Sequence, residues 1–196
     1  MKLLTSIITL LSSLLFINLA QAEPVKVGFV YVGPVGDHGW TYRHDIGRQQ
    51  VEEALGDQVK TSYIESVAYG PQAERVFREM AQTHDIVFGT SFGYMEPMLK
   101  VAKEFPNVKF EHATGYKQSD NLASYGLRLY QARHVQGIIA GMMTKTNKIC
   151  YVAAYPIPEV IREINTYYLG AKSMNPDVEI MITWVNTWYD PVKEST

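Results

Sequence analysis

Cysteine is almost missing from this 196-residue chain: Cys150 stands alone. That excludes an intrachain disulfide and leaves the core to be held by packing. Cys150 lies in the apolar run Ile149–Ala153 and reads as a small buried core residue. A dominant charge sign is missing too. Lys and Arg number 18 against 20 Asp and Glu, a formal net charge of −2, and the two signs are interspersed. Nucleic acid is therefore not an expected partner, because its footprint would be a basic face. Internal repeats, low-complexity tracts and linker-like stretches are absent as well. After residue 22 no second hydrophobic run approaches the roughly 20 apolar residues that a membrane-spanning helix needs.

What is present begins with a leader. Lys2 supplies a positive start, Leu3 to Leu19 is mostly apolar, and Ala20-Gln21-Ala22 fits the small-x-small pattern of signal peptidase. The mature chain is expected to begin at Glu23. A membrane anchor is the competing reading. The stretch falls short of a comfortable span of about 20 residues, and a cleavage site follows it directly. A lipoprotein would need a cysteine just after the cleavage point, and Glu23 stands there instead.

From there apolar runs alternate with amphipathic stretches. Strands are expected at Val25–Val32, Thr61–Val67, Ile86–Gly89, Lys109–Ala113, Ile149–Ala153 and Ile180–Val185. Helical stripes lie between them. The first is Tyr42, Ile46, Val51 and Leu55, stopped by Gly56. Ala73, Val76, Phe77 and Met80 follow Pro71, and Met95, Met98, Leu99 and Ala102 precede Pro106. Val135, Ile138, Ile139 and Met142 form a fourth, and Val160, Ile161, Ile164 and Tyr168, started by Pro158, a fifth. These stripes read as core. Strands this apolar, alternating with helices, point to an α/β protein with a doubly wound parallel sheet covered on both faces. Residues 1–22 are then a signal peptide, 23–147 an N-terminal α/β lobe and 148–196 part of a second. A further helix is expected to start near Val192.

The candidate site lies in the strand-to-helix loops Gly33–Gly39, Thr90–Gly93, Thr114–Asn121, Ala154–Pro158 and Asn186–Pro191, which such a sheet gathers on one side. Three carry aromatics: Trp40, then Phe92 with Tyr94, then Trp188 with Tyr189. Aromatic faces can stack on a nucleobase, and Asp37 can accept hydrogen bonds from its N–H groups. Equally, Trp40 could plug the core under its loop and Asp37 cap a helix. Three other chemistries compete. The Gly33–Gly39 glycines lack dinucleotide-fingerprint spacing, and Pro34 removes a backbone N–H. Gly89-Thr90-Ser91-Phe92-Gly93 matches a Gly-x-Ser-x-Gly nucleophile elbow, with Asp120 and His134 in the order a serine hydrolase would need. His134, however, falls on an apolar helix pattern, and no His-Gly-Gly-Gly-like oxyanion segment lies upstream. His38, His44 and Asp45 offer no third metal ligand at reliable spacing, and His44 with Asp45 reads as a solvated or capping pair. No metal or cofactor is expected.

Taken together, Val27-Gly28-Phe29-Val30-Tyr31-Val32-Gly33-Pro34-Val35-Gly36-Asp37-His38-Gly39-Trp40-Thr41 and Thr90-Ser91-Phe92-Gly93-Tyr94 resemble the basic membrane protein family, the purine-binding receptors of bacterial ABC transporters. Phe110 to Tyr116, Tyr155 to Val160 and Trp184 to Trp188 add to the likeness. The resemblance runs from about Val25 to the last residue. It implies a periplasmic-binding-protein-like fold of two lobes, with a purine base or nucleoside held between them and handed to an inner-membrane permease. It also implies a periplasmic, monomeric receptor without a catalytic step. By the same resemblance Trp40 stacks on the base, Asp37 bonds it, and Phe92, Gly93, Tyr94 and Trp188 complete the site. Gly39-Trp40-Thr41 replaces a Ser-Phe-Asn-like motif of other members, which leans the ligand toward adenine or a related base. Family members are nearly twice this length, so the chain reads as an N-terminal part with an incomplete second lobe.

Overall fold

The computed structural model describes residues 22–36 and 38–195. The expected leader therefore lies almost wholly outside the described residues, and so does Asp37. Five strands, β1 (Val25–Val30), β2 (Val59–Ile64), β3 (Ile86–Gly89), β4 (Lys109–Ala113) and β5 (Leu122–Tyr125), form one parallel sheet in the order β2-β1-β3-β4-β5. Helices α1 (Gly39–Leu55), α2 (Pro71–Ala81) and α3 (Met95–Glu104) connect the first four strands. Next, α4 (Leu129–Met143) leads to a βαβ unit of β6 (Lys148–Ala153), α5 (Pro158–Met174) and β7 (Glu179–Trp184), whose two strands pair in parallel. The short α6 (Pro191–Ser195) starts where the sequence suggests. Among the described residues no helix is long and apolar enough to cross a membrane.

Two strand expectations change. β2 ends at Ile64 rather than Val67, because Ser66 turns to φ 58 and breaks the extended run. β5 was not read from sequence: in Leu122-Ala123-Ser124-Tyr125 only Leu122 is buried, too short an alternation to register.

The two sheet faces differ. On one, Phe77 and Met80 of α2 and Met98 of α3 close over Val30, Val87, Phe110 and Leu122, as their stripes predict, and Val101 joins them from outside its stripe. Among the described residues the other face is covered by α1 alone, so it is not fully covered as expected, and an apolar groove is bordered by Phe29, Ile86, Phe88 and Tyr125. Nor does α1 dock through its expected stripe. Val51 and Leu55 are exposed, whereas Thr41 and Asp45 are buried. Asp45 accepts hydrogen bonds from the Tyr31 hydroxyl (3.2 Å), Arg48 Nε (2.7 Å) and Gln49 Nε2 (2.7 Å). Arg48 continues to Glu52 and Thr61 and lies 5.0 Å from the Tyr63 ring. The pair His44–Asp45 is thus no solvated pair. Asp45 anchors the helix to the sheet.

Around β6 and β7 two more expectations are corrected. The fourth stripe is largely exposed at Val135, Ile139 and Met142, and α4 meets α5 through Gly137 and Gly141 instead. A Cβ on Gly137 would stand 2.0 Å from the Tyr167 carbonyl oxygen, and one on Gly141 2.4 Å from that of Ala171. The helices approach backbone to backbone, and apolar bulk on α4 has no place in that contact. Gly137→Ala should therefore force them apart and lower stability by about 1–3 kcal/mol, the usual cost of overpacking. An unchanged urea midpoint would contradict this contact. Cys150 is exposed, not buried. The strand period puts Tyr151 against Tyr167 of α5, with ring centres 5.2 Å apart, and turns Cys150, Val152 and Met181 to the side without a covering helix.

Candidate functional site

β2 and β3 flank β1, so the loops after β1 and β3 diverge at the switch point of the sheet, where open α/β folds take ligands. Trp40, in the first turn of α1, is placed there. Its indole N–H donates to the carbonyl of Thr90, just beyond β3, which ties the two loops together and fixes the plane of the ring. Behind it stands His44, ring centre 4.6 Å away, whose Nδ1–H donates to the Trp40 carbonyl at 2.9 Å. Burial holds the His44 pKa below its ordinary value, so this support is neutral. Trp40 is half-buried and borders open space, which makes it a wall of a cavity rather than a core plug.

The facing wall comes from the loops after β6 and β7. Trp188 packs on Tyr155 with ring centres 5.1 Å apart, and its indole N–H donates to the Tyr69 hydroxyl at 2.9 Å. That hydroxyl also shares a 2.7 Å hydrogen bond with Ser91 Oγ. One phenol therefore joins the loops after β2, β3 and β7. Beside it, Gly39 takes φ +89, a conformation that glycine adopts without strain, and the Tyr189 ring packs where a Cβ would stand. The two walls touch at both points.

Between them lies a cavity of ≈ 380 Å³, within the usual range of about 300–1,000 Å³ for small-molecule sites. Trp40, Ser91, Phe92 and Thr114 border it on one side, and Tyr151, Glu159, Glu163, Thr187 and Trp188 on the other. Leu129 and Arg133 of α4 contribute as well. An adjoining space of ≈ 370 Å³ shares Trp40 and Trp188 and reaches Gly33, Pro34 and Tyr69. The charged part is compact. Buried Glu163 pairs with Arg133 at 3.1 Å, and Glu159 precedes it by one turn in the first turn of α5. Burial, then the nearby Glu163 charge, pushes the Glu159 carboxyl above its ordinary pKa, while the Arg162 charge and the nearby Thr114 hydroxyl pull the other way. Thr114 sits at φ 64, a strained conformation for a β-branched residue of the kind that gathers at functional sites.

Of the six residues expected in the site, the structure brings Trp40, Phe92 and Trp188 to one cavity. Gly93 and Tyr94 stand behind the wall. The Tyr94 ring is fully buried between Tyr69 and Phe77, its hydroxyl donates to the Val67 carbonyl at 2.6 Å, and Gly93 leaves room for the Tyr69 ring. Asp37 lies outside the described residues. Tyr69, Arg133, Glu159 and Glu163 were missed. Tyr69 had a signal, being an aromatic in the strand-to-helix loop after β2. The two glutamates fall on one helix face at i, i+4, a pattern that cannot show which space the face borders.

The serine-hydrolase arrangement is not assembled here. Ser91 Oγ meets a phenol, and the buried His112 donates from Nε2 to the Ser91 carbonyl at 2.7 Å, not to its hydroxyl. His134 is turned to the Thr166 carbonyl on α5. Among the described residues no cluster of three or more His, Cys, Asp or Glu could hold a metal ion.

A ligand-sized cleft at the carboxyl ends of a doubly wound sheet, faced by a second βαβ unit, is the arrangement of the periplasmic-binding-protein-like fold. Within that fold the chain belongs to the PnrA-like ABC transporter substrate-binding proteins, whose family model matches residues 24–196. A purine-binding protein of Brucella abortus is 52% identical over 174 residues, covering 88% of this chain and 50% of that protein. A putative ABC transporter glucose-binding protein of Haloferax volcanii is 46% identical over 173 residues, covering 88% and 44%. The crystal structure of an ABC transporter solute-binding protein from Aeropyrum pernix K1 superposes with a TM-score of 0.74 at 27% identity, covering 87% of this chain and 50% of that one. The chain spans about half the length of the curated relatives it matches.

Proposed function

We propose that this protein captures a purine, an adenine-like base in particular, in the cleft between Trp40 and Trp188. It hands the purine to an inner-membrane ABC permease and makes or breaks no covalent bond. The observation that carries this reading is the indole of Trp40, held in one plane by the Thr90 carbonyl, with Phe92 on the same side of a ≈ 380 Å³ cavity and Trp188 on the other. Flat apolar walls around a few polar groups suit a heteroaromatic ring. The Brucella relative is a purine-binding protein, which supports the same ligand class. Engagement of Ser91 by Tyr69 supports binding without catalysis. The protein is proposed to work as a monomer in the periplasm after cleavage at Ala22, with residues 23–147 and 148–196 as its two lobes and α4 packed across to α5.

The Haloferax relative's name favours a second reading, a sugar ligand, since indole faces also stack on sugar rings. Thermal unfolding of the purified protein with adenine, adenosine and glucose separates the two. At a ligand concentration of 100 times Kd, binding adds about 2.7 kcal/mol to stability. Adenine is expected to raise the transition temperature and glucose to leave it unchanged. A rise with glucose alone would overturn the purine reading.

A further inference from the structure

Glu159 holds a singular place in the cleft. It lines the ≈ 380 Å³ cavity on the side opposite Trp40, and both residues also border the neighbouring apolar groove. Thr114, after β4, borders the same spaces as Glu159. Glu163, one turn on, is already committed to Arg133 at 3.1 Å and is buried. Of the charged residues that line the cavity, Glu159, Glu163 and Glu194 are acidic and Arg133 alone is basic, so the lining is net negative although Arg162 on the same helix also attracts the Glu159 carboxylate. The N-terminal turn of α5 favours its ionised form, while burial and Glu163 oppose it. Such a carboxylate gains from N–H donors brought within reach and loses from any anion placed beside it.

Resting on the purine reading of this cleft, we propose that Glu159 sets ligand specificity by accepting hydrogen bonds from the N–H edge of an uncharged heterocycle stacked on Trp40 and by rejecting phosphorylated forms. A free base offers ring and exocyclic N–H groups to the carboxylate. A nucleoside monophosphate brings about −1.5 to −2 charge into a space that is already negative.

The test compares adenine with adenosine monophosphate by titration calorimetry on the wild-type protein, E159Q, E159D and, as a surface-charge control, E79Q on the exposed side of α2. Wild type should bind adenine and show no measurable heat with the monophosphate. E159Q should weaken adenine roughly tenfold or more, the size of one hydrogen bond to a charged group, and narrow the preference over the monophosphate. E159D, which keeps the charge on a shorter arm, should weaken adenine yet still exclude the monophosphate. E79Q should match wild type. If the wild-type protein binds adenine and E159Q leaves both affinity and preference unchanged, Glu159 is not the selector, although the purine reading survives. An E79Q effect as large as that of E159Q would reduce the selection to net charge. Absence of any purine binding to the wild type would remove the purine reading and this inference together.

Discussion

Replacing Asp45 with alanine is expected to lower the unfolding free energy by about 3–5 kcal/mol, the cost of breaking a buried ion pair by removing one partner. Asp45 is only 3% exposed and receives three side-chain hydrogen bonds, from Tyr31, Arg48 and Gln49. Its loss would leave the Tyr31 hydroxyl, itself fully buried, without that acceptor and Arg48 with Glu52 and Thr61 alone. The charge also makes the effect depend on pH. Burial alone would raise the Asp45 pKa, but the bonds from Arg48, Gln49 and Tyr31 outweigh it and hold the carboxyl below its ordinary value. A depressed carboxyl pKa contributes stability above the unfolded value of about 3.9 and loses it as pH falls through the folded value. Urea melts between neutral and acid pH should show D45N destabilised at neutrality and converging on wild type below about pH 4. Parallel curves across that range would show that the Asp45 pKa is the same in the folded and unfolded protein.

The second large effect concerns Trp40. Trp40→Ala should weaken purine binding by about 1–3 kcal/mol, the range for one base–aromatic stack. That corresponds to a loss of roughly 5- to 150-fold in affinity. The indole does two things that alanine cannot: it presents a face to the cavity, and it ties α1 to the end of β3 through the Thr90 carbonyl. Trp40→Phe separates them, since it keeps a ring and loses the N–H donor. Affinity for adenine measured by calorimetry should fall most in Trp40→Ala and least in Trp40→Phe. Equal affinity in all three proteins would remove Trp40 from the site.

Much of the architecture was legible from residue order. Apolar strand runs at β1, β3, β4, β6 and β7, and strong stripes on α2 and α3, place one sheet face and its core correctly, because burial against a helix demands that period. Reading failed where contact does not require apolar bulk. α1 docks through Asp45 and Arg48, and α4 through Gly137 and Gly141. In both, the residues that look like core point elsewhere. Cys150 is the same error on a strand: its run is apolar, but no helix covers its face. In the site, Trp40, Phe92 and Trp188 were recognisable as aromatics at loop positions. Tyr94, four residues from Thr90, was indistinguishable from them until its ring was seen between Tyr69 and Phe77.

The sequence by itself determined the alternation of strands and helices, the family, and the loops that could meet a ligand, since all three depend on local composition and spacing. Only the tertiary structure decided which aromatics form the cleft and which lie behind it, and that Tyr69 and Glu159 belong to it. Those facts arise from contacts between segments up to 119 residues apart, as in Trp188 and Tyr69. No local pattern encodes a meeting of that kind. It follows from how two sheets and their connecting helices pack.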